Sequence, residues 1–132
     1  MEAALAVIGS MRTLHILDRP EQAHGEAGTI DLIDIHALKG QTYETGKISA
    51  VCGEAAFRYI TTAICLSPQG AAGAATVPIN KEALHLAGHM YSGHTEIFAE
   101  YASAKDCAMR LMSGGLRSDQ NRACTENASS GR

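Results

Sequence analysis

The chain has no tryptophan, and aromatic residues make up only 5 % of it. Its core must therefore come from Ala, Ile, Leu, Val and Met, within an apolar fraction of 45 %. No cluster of Lys or Arg marks a surface for a phosphate backbone, and a formal net charge of −3 is too small to imply a partner. A nucleic-acid role is set aside on that ground. Cys52, Cys65, Cys107 and Cys124 form no Cys-x-x-Cys pair, which excludes a zinc ribbon or a thioredoxin motif. They read as reduced thiols of a cytoplasmic protein. The opening MEAALAVIGS lacks the basic stretch and long apolar stretch of a signal peptide. No apolar run reaches the roughly 18 residues that suggest a membrane span.

What is present is a chain of 132 residues, suited to one modest domain, with thirteen glycines for tight turns. EAALAVIG reads as a helix ending at Gly9, and TLHILD as a short strand. RPEQAHGEAG is a loop, and TIDLIDIHAL a strand partly covered on both faces. After the loop GQTYETGK, the longest periodic segment, ISAVCGEAAFRYITTAICL, predicts a helix capped by Ser49. Ala56, Tyr59, Ile60, Ala63 and Ile64 share one face of it at helical spacing. SPQGAAG stops it, and AATV reads as a short buried strand. INKEALHLAG predicts a helix capped by Asn80 and stopped by Gly88; HTEIFAEYASA predicts another, with Thr95 as its cap; CAMRLM reads as a strand. Strands alternating with helices predict an α/β fold of layered αβα type with a partly parallel sheet. From Ser118 the sequence SDQNRACTENASSGR has no apolar period and reads as a disordered tail.

The chemistry concentrates between Asn80 and Glu96, in NKEALHLAGHMYSGHTE. His85 and His89 are four apart, so on one helix they would share a face, and His94 supplies a third imidazole. Such a set can bind zinc. Against that, Gly88 ends the helix before His89, no Glu follows His85 in the His-Glu-x-x-His manner, and histidines beside turns often bond the backbone. Lys81 stands at a helix start, where free N–H groups favour an anion such as phosphate; the plainer reading is a solvated first turn. In GHTE, an imidazole and a hydroxyl from His94 and Thr95 converge on a helix start, suited to a polar or phosphorylated small molecule or to a plain Thr cap.

The blocks GKISAVCGEAAFRYI, VPINKEALHLAGHMYSGHTEIFAE and AMRLMSGGLR resemble the PdxA family. These are the 4-hydroxythreonine-4-phosphate dehydrogenases, with close paralogues acting on 4-phospho-D-threonate or 4-phospho-D-erythronate. The likeness runs from about Met1 to Arg117. It implies part of an isocitrate/isopropylmalate-dehydrogenase-like α/β fold and a homodimer. It also implies NAD (or NADP), a divalent metal such as Zn, Mg or Co, and oxidation with decarboxylation of a 4-phosphorylated hydroxy acid. The His-Thr of the family's GHTE block binds substrate, which carries onto His94 and Thr95. The resemblance turns His85 and His89 into helix-end and turn residues and keeps Lys81 as a candidate phosphate contact. It assigns no catalytic, cofactor or metal-binding residue within this chain.

The departures are as telling. Relatives are expected to be roughly two to three times as long, a length that two domains fill. The initial strand with its TPGEPAGIGPE-like loop has no counterpart, and no histidine follows SGGLR, where the family carries a metal ligand. The expectation is a partial dehydrogenase domain over residues 1–117, inactive alone, with a frameshift near Ser118 producing a divergent 118–132. The competing expectation is a non-catalytic remnant or subunit that pairs with a full-length relative. Neither nucleic acid nor membrane is expected as a partner.

Overall fold

The computed structural model describes residues 1–67, 73–104 and 106–123. Two compact units divide at Lys39 and Gly40. In the first, α1 (Glu2–Val7) ends in a Schellman turn. Gly9 donates to Ala6 and Ser10 to Leu5, with Gly9 at φ 61°, a value that favours glycine. The strands β1 (Thr13–Leu17) and β2 (Thr29–Ile33) pair in parallel, His15 opposite Asp31. Between them a 3₁₀ turn at Pro20–Gln22 is closed by the Gln22 side chain, which accepts from the Asp18 and Arg19 N–H groups. β2 is shorter than its alternation predicts. The Asp34 side chain accepts from the His36 N–H, and His36 adopts φ 53°, so the backbone turns away from a sheet there.

The second unit is built on α2 (Ala50–Leu66). Ser49 Oγ accepts the Cys52 N–H at 3.3 Å, the expected cap. Gly53, Ala55, Phe57, Ile60 and Ile64 are buried; Ile60 and Ile64 belong to the expected stripe, whereas Tyr59 of that stripe is 46 % exposed. α3 (Lys81–Leu86) is capped by Asn80, whose Oδ1 accepts the Ala83 N–H at 2.9 Å. It ends in a second Schellman turn: Gly88 donates to His85 and His89 to Leu84. α4 (His94–Tyr101) ends likewise around Ser103 at φ 52°. Both short helices bury one residue completely against α2, Leu84 from α3 and Ile97 from α4. Each such burial contributes about 1.5–3 kcal/mol.

β3 (Asp106–Ser113) and β4 (Leu116–Ala123) form an antiparallel hairpin. Its two-residue turn is Gly114–Gly115, with Gly114 at φ 58°, the positive value that primed hairpin turns need. Pairing continues through Ser118 to Ala123, beyond the end of the apolar pattern, because a ladder is held by backbone groups. Residues 124–132 of the expected tail, and part of the expected stop SPQGAAG, lie outside the described residues.

Two expectations need correction. AATV is not a buried strand: residues 74–77 lack regular structure and Val77 is 79 % exposed. A short apolar run becomes a strand only where a neighbour supplies hydrogen-bond partners, and none pairs with it among the described residues. Thr95 is not the α4 cap: Gly93 holds that position in extended backbone, and Thr95 lies within the first turn. The chain mixes helices and strands as an α/β protein does, with one parallel and one antiparallel pair. Among the described residues no helix is long and apolar enough to cross a membrane.

Candidate functional site

His94 and Thr95 are the first two residues of α4. Their placement follows from α4 packing Ile97 and Phe98 against Phe57, Ile60 and Ile64 of α2. Both are half-buried. Gly93 offers no side chain to cap the helix, so the backbone N–H groups of the first turn face outward from the helix end. Glu96, in the same turn, accepts a hydrogen bond from Ser92 Oγ. Lys81 is exposed at the start of α3. Its helix rests on the same α2 platform as that of His94 and Thr95, through Leu84 and Ile97.

The three histidines of this stretch have separate roles. His85 Nε2 donates to the Tyr91 carbonyl at 3.2 Å. His89 Nε2 donates to Glu54 at 2.7 Å, and its ring stacks on Phe57 with centroids 3.6 Å apart. His94 starts α4. Among the described residues no group of three His, Cys, Asp or Glu side chains is arranged to hold a metal ion. The described residues therefore bring together no ligand set for the divalent metal that the resemblance implies.

Phe57 is the hub of the surroundings. Tyr91 stacks on it at 5.8 Å and Tyr101 meets it edge-on at 5.8 Å. Burial, and then the hydrogen bond to Glu100, push the Tyr91 hydroxyl up to about 12. The His89–Glu54 pair was not legible in the sequence, because the partners are 35 residues apart.

A second polar cluster lies in the first unit. Asp31 accepts from the Gly25 N–H at 3.0 Å, the His24 N–H at 3.1 Å and His15 Nδ1 at 2.9 Å. The Gly25 N–H, followed by His15, holds its carboxyl below the usual carboxylate range. His15 and His24 stack at 5.9 Å beside an open cleft of about 410 Å³ that Thr13, Thr29 and Glu26 also line. The parallel pairing of β1 with β2 creates this cluster by setting His15 opposite Asp31, a register that the sequence did not show.

Comparison with known proteins bears on the second unit and the first alike. The family described as pyridoxal phosphate biosynthetic protein PdxA matches residues 1–120. The D-threonate 4-phosphate dehydrogenase of Cupriavidus necator is 42 % identical over 118 residues, covering 89 % of this chain and 35 % of that protein. The 4-hydroxythreonine-4-phosphate dehydrogenase of Trichlorobacter lovleyi is 39 % identical, again over 89 % of this chain and 35 % of its own length. The crystal structure of 4-hydroxythreonine-4-phosphate dehydrogenase from Klebsiella pneumoniae superposes with a TM-score of 0.77 at 42 % identity, over 88 % of this chain and 36 % of that one. The enzyme of the same description from Burkholderia phymatum gives 0.79 at 37 % identity, over 89 % and 36 %. This chain thus spans about a third of the length of these relatives. It belongs to the PdxA family.

Proposed function

We propose that this chain carries the substrate-binding part of a dehydrogenase acting on a 4-phosphorylated hydroxy acid, with His94 and Thr95 contacting the substrate. The observation that carries this reading is their position: adjacent, half-buried and on the uncapped first turn of α4. An imidazole and a hydroxyl there can bond the oxygens of a hydroxy acid, and the helix end favours the anion. Lys81 is the proposed phosphate contact. The first-named relatives act on D-threonate 4-phosphate or on 4-hydroxythreonine 4-phosphate, and either fits this chemistry.

The finer features of the reaction are proposals by family. NAD (or NADP) and a divalent metal such as Zn, Mg or Co are proposed as cofactors of the whole enzyme, for hydride transfer and Lewis-acid chemistry respectively. The described residues supply no ligand set for that metal. Decarboxylation, the isocitrate/isopropylmalate-dehydrogenase-like architecture and a homodimer are proposed on the same footing. Calorimetry with D-threonate 4-phosphate tests the reading. His94→Ala and Thr95→Ala are each expected to weaken binding about tenfold. Lys81→Ala should weaken the phosphorylated ligand and leave D-threonate itself unaffected. Unchanged affinity in His94→Ala would end the reading.

A second reading, a non-catalytic subunit that pairs with a full-length relative, is favoured by the exposed apolar side chains Leu111, Met112 and Leu116 on the β3–β4 hairpin. Co-purification with such a relative would support it, and its absence would remove it.

A further inference from the structure

The segment that leads into α4, Gly88–Gly93, contains neither helix nor strand. Its path is set by the backbone bonds that close α3 and by side-chain ties. His89 closes the Schellman turn of α3 with its backbone N–H. Its imidazole lies on the Phe57 ring, planes 15° apart, and its Nε2 donates to Glu54 Oε2 at 2.7 Å. Glu54 and Phe57 are three residues apart on α2 and so present neighbouring side chains. Two residues beyond His89, Tyr91 stacks on the same Phe57 ring, receives His85 Nε2–H at its carbonyl, and bonds Glu100 of α4.

These ties differ in kind. Stacking on Phe57 fixes how far the turn lies from α2 but lets a ring slide. The hydrogen bond from His89 to Glu54 fixes where along α2 the turn sits, because it is short and directional. Only four residues separate His89 from His94. A shift of the first therefore moves the second.

We infer that His89 and Glu54 are positioning residues: their hydrogen bond locks the turn so that His94 and Thr95 enter α4 facing the substrate. The role in substrate binding rests on the proposed function above; the lock itself does not. Neither residue touches substrate in this account.

The test is ¹⁵N relaxation on the full chain with three variants. His89→Ala removes ring and donor, His89→Phe keeps the ring alone, and His89→Gln keeps the donor alone. The wild type and His89→Gln are expected to hold Gly93 and His94 rigid, with order parameters of about 0.85. His89→Ala and His89→Phe should drop them below about 0.6 while the α2 amides stay rigid. A rigid turn in His89→Phe, or a loose one in His89→Gln, overturns the lock. A second readout is affinity for D-threonate 4-phosphate, expected to fall about tenfold in His89→Phe and to recover in His89→Gln. A loosened turn with unchanged affinity overturns the positioning role. Absence of binding by the wild-type chain instead overturns the proposed function, and the relaxation data still judge the lock separately.

Discussion

Gly53 is where α2 and α3 come closest, and filling it is the sharpest perturbation of the platform under the site. A Cβ built at Gly53 lies 1.9 Å from the Ala83 carbonyl oxygen, 2.4 Å from its carbonyl carbon and 3.0 Å from the Leu84 nitrogen. The first approach is about 1.5 Å short of the 3.4 Å at which ordinary contact begins. The obstacle is backbone, so no rotamer change relieves it, and α3 must move. Helix propensity alone favours alanine over glycine by about 0.8–1.0 kcal/mol. Overpacking costs about 1–3 kcal/mol, and a backbone obstacle puts this site at the upper end. The balance is a net loss of about 1–2 kcal/mol for Gly53→Ala. At about 4–8 °C per kcal/mol for a unit of this size, Tm falls by about 5–15 °C. Thermal and urea unfolding followed by far-ultraviolet circular dichroism measure it. A variant as stable as the wild type, or more so, would show that propensity wins and that the helices do not approach as described.

Three further outcomes follow from individual groups. Asn80→Ala removes the side-chain cap of α3, Oδ1 to the Ala83 N–H, and should cost about 1 kcal/mol in urea unfolding, with Asn80→Asp close to wild type. Asp31, whose folded pKa is lowered chiefly by the Gly25 N–H, contributes stability that is complete above the ordinary value of 3.8 and lost as pH falls through the lower folded value. Amide resonances of His24 and Gly25 should therefore move in that acid range, and Asp31→Asn should abolish the movement. Tyr91, raised to about 12 chiefly by burial, contributes stability that is complete below pH 10 and lost as pH rises through about 12. Ultraviolet titration of tyrosinate should show a step near pH 12, and Tyr91→Phe should remove it.

Helix ends were the most legible part of the sequence, because capping is local chemistry. Ser49, Asn80, Gly9 and Gly88 all act as a residue of their type acts at a helix boundary. The buried face of α2 was less legible. Alanines at positions 55, 56 and 63 fit either side of the helix, and glycine carries no apolar mark, so the period alone did not single out Gly53 as the contact with α3. Thr95 resembled a cap by type, but the cap is decided by backbone geometry, and Gly93 is the extended residue before the helix. β4 was hidden for the opposite reason: LRSDQNRA has no alternation, and its pairing is imposed by the Gly114–Gly115 turn. At the candidate site, the order of residues in GHTE was readable, while the support from Glu54, Phe57 and Glu100 joins segments far apart in sequence and needed the fold.

The central claim, that His94 and Thr95 on the first turn of α4 meet a 4-phosphorylated hydroxy acid, is tested most directly by nuclear magnetic resonance of the chain during titration with D-threonate 4-phosphate. The account predicts saturable shifts of the His94 ring and Thr95 methyl signals, with His15, His24 and His36 of the other unit unmoved. Saturable shifts confined to His15 and His24, or none at His94 and Thr95, would contradict it.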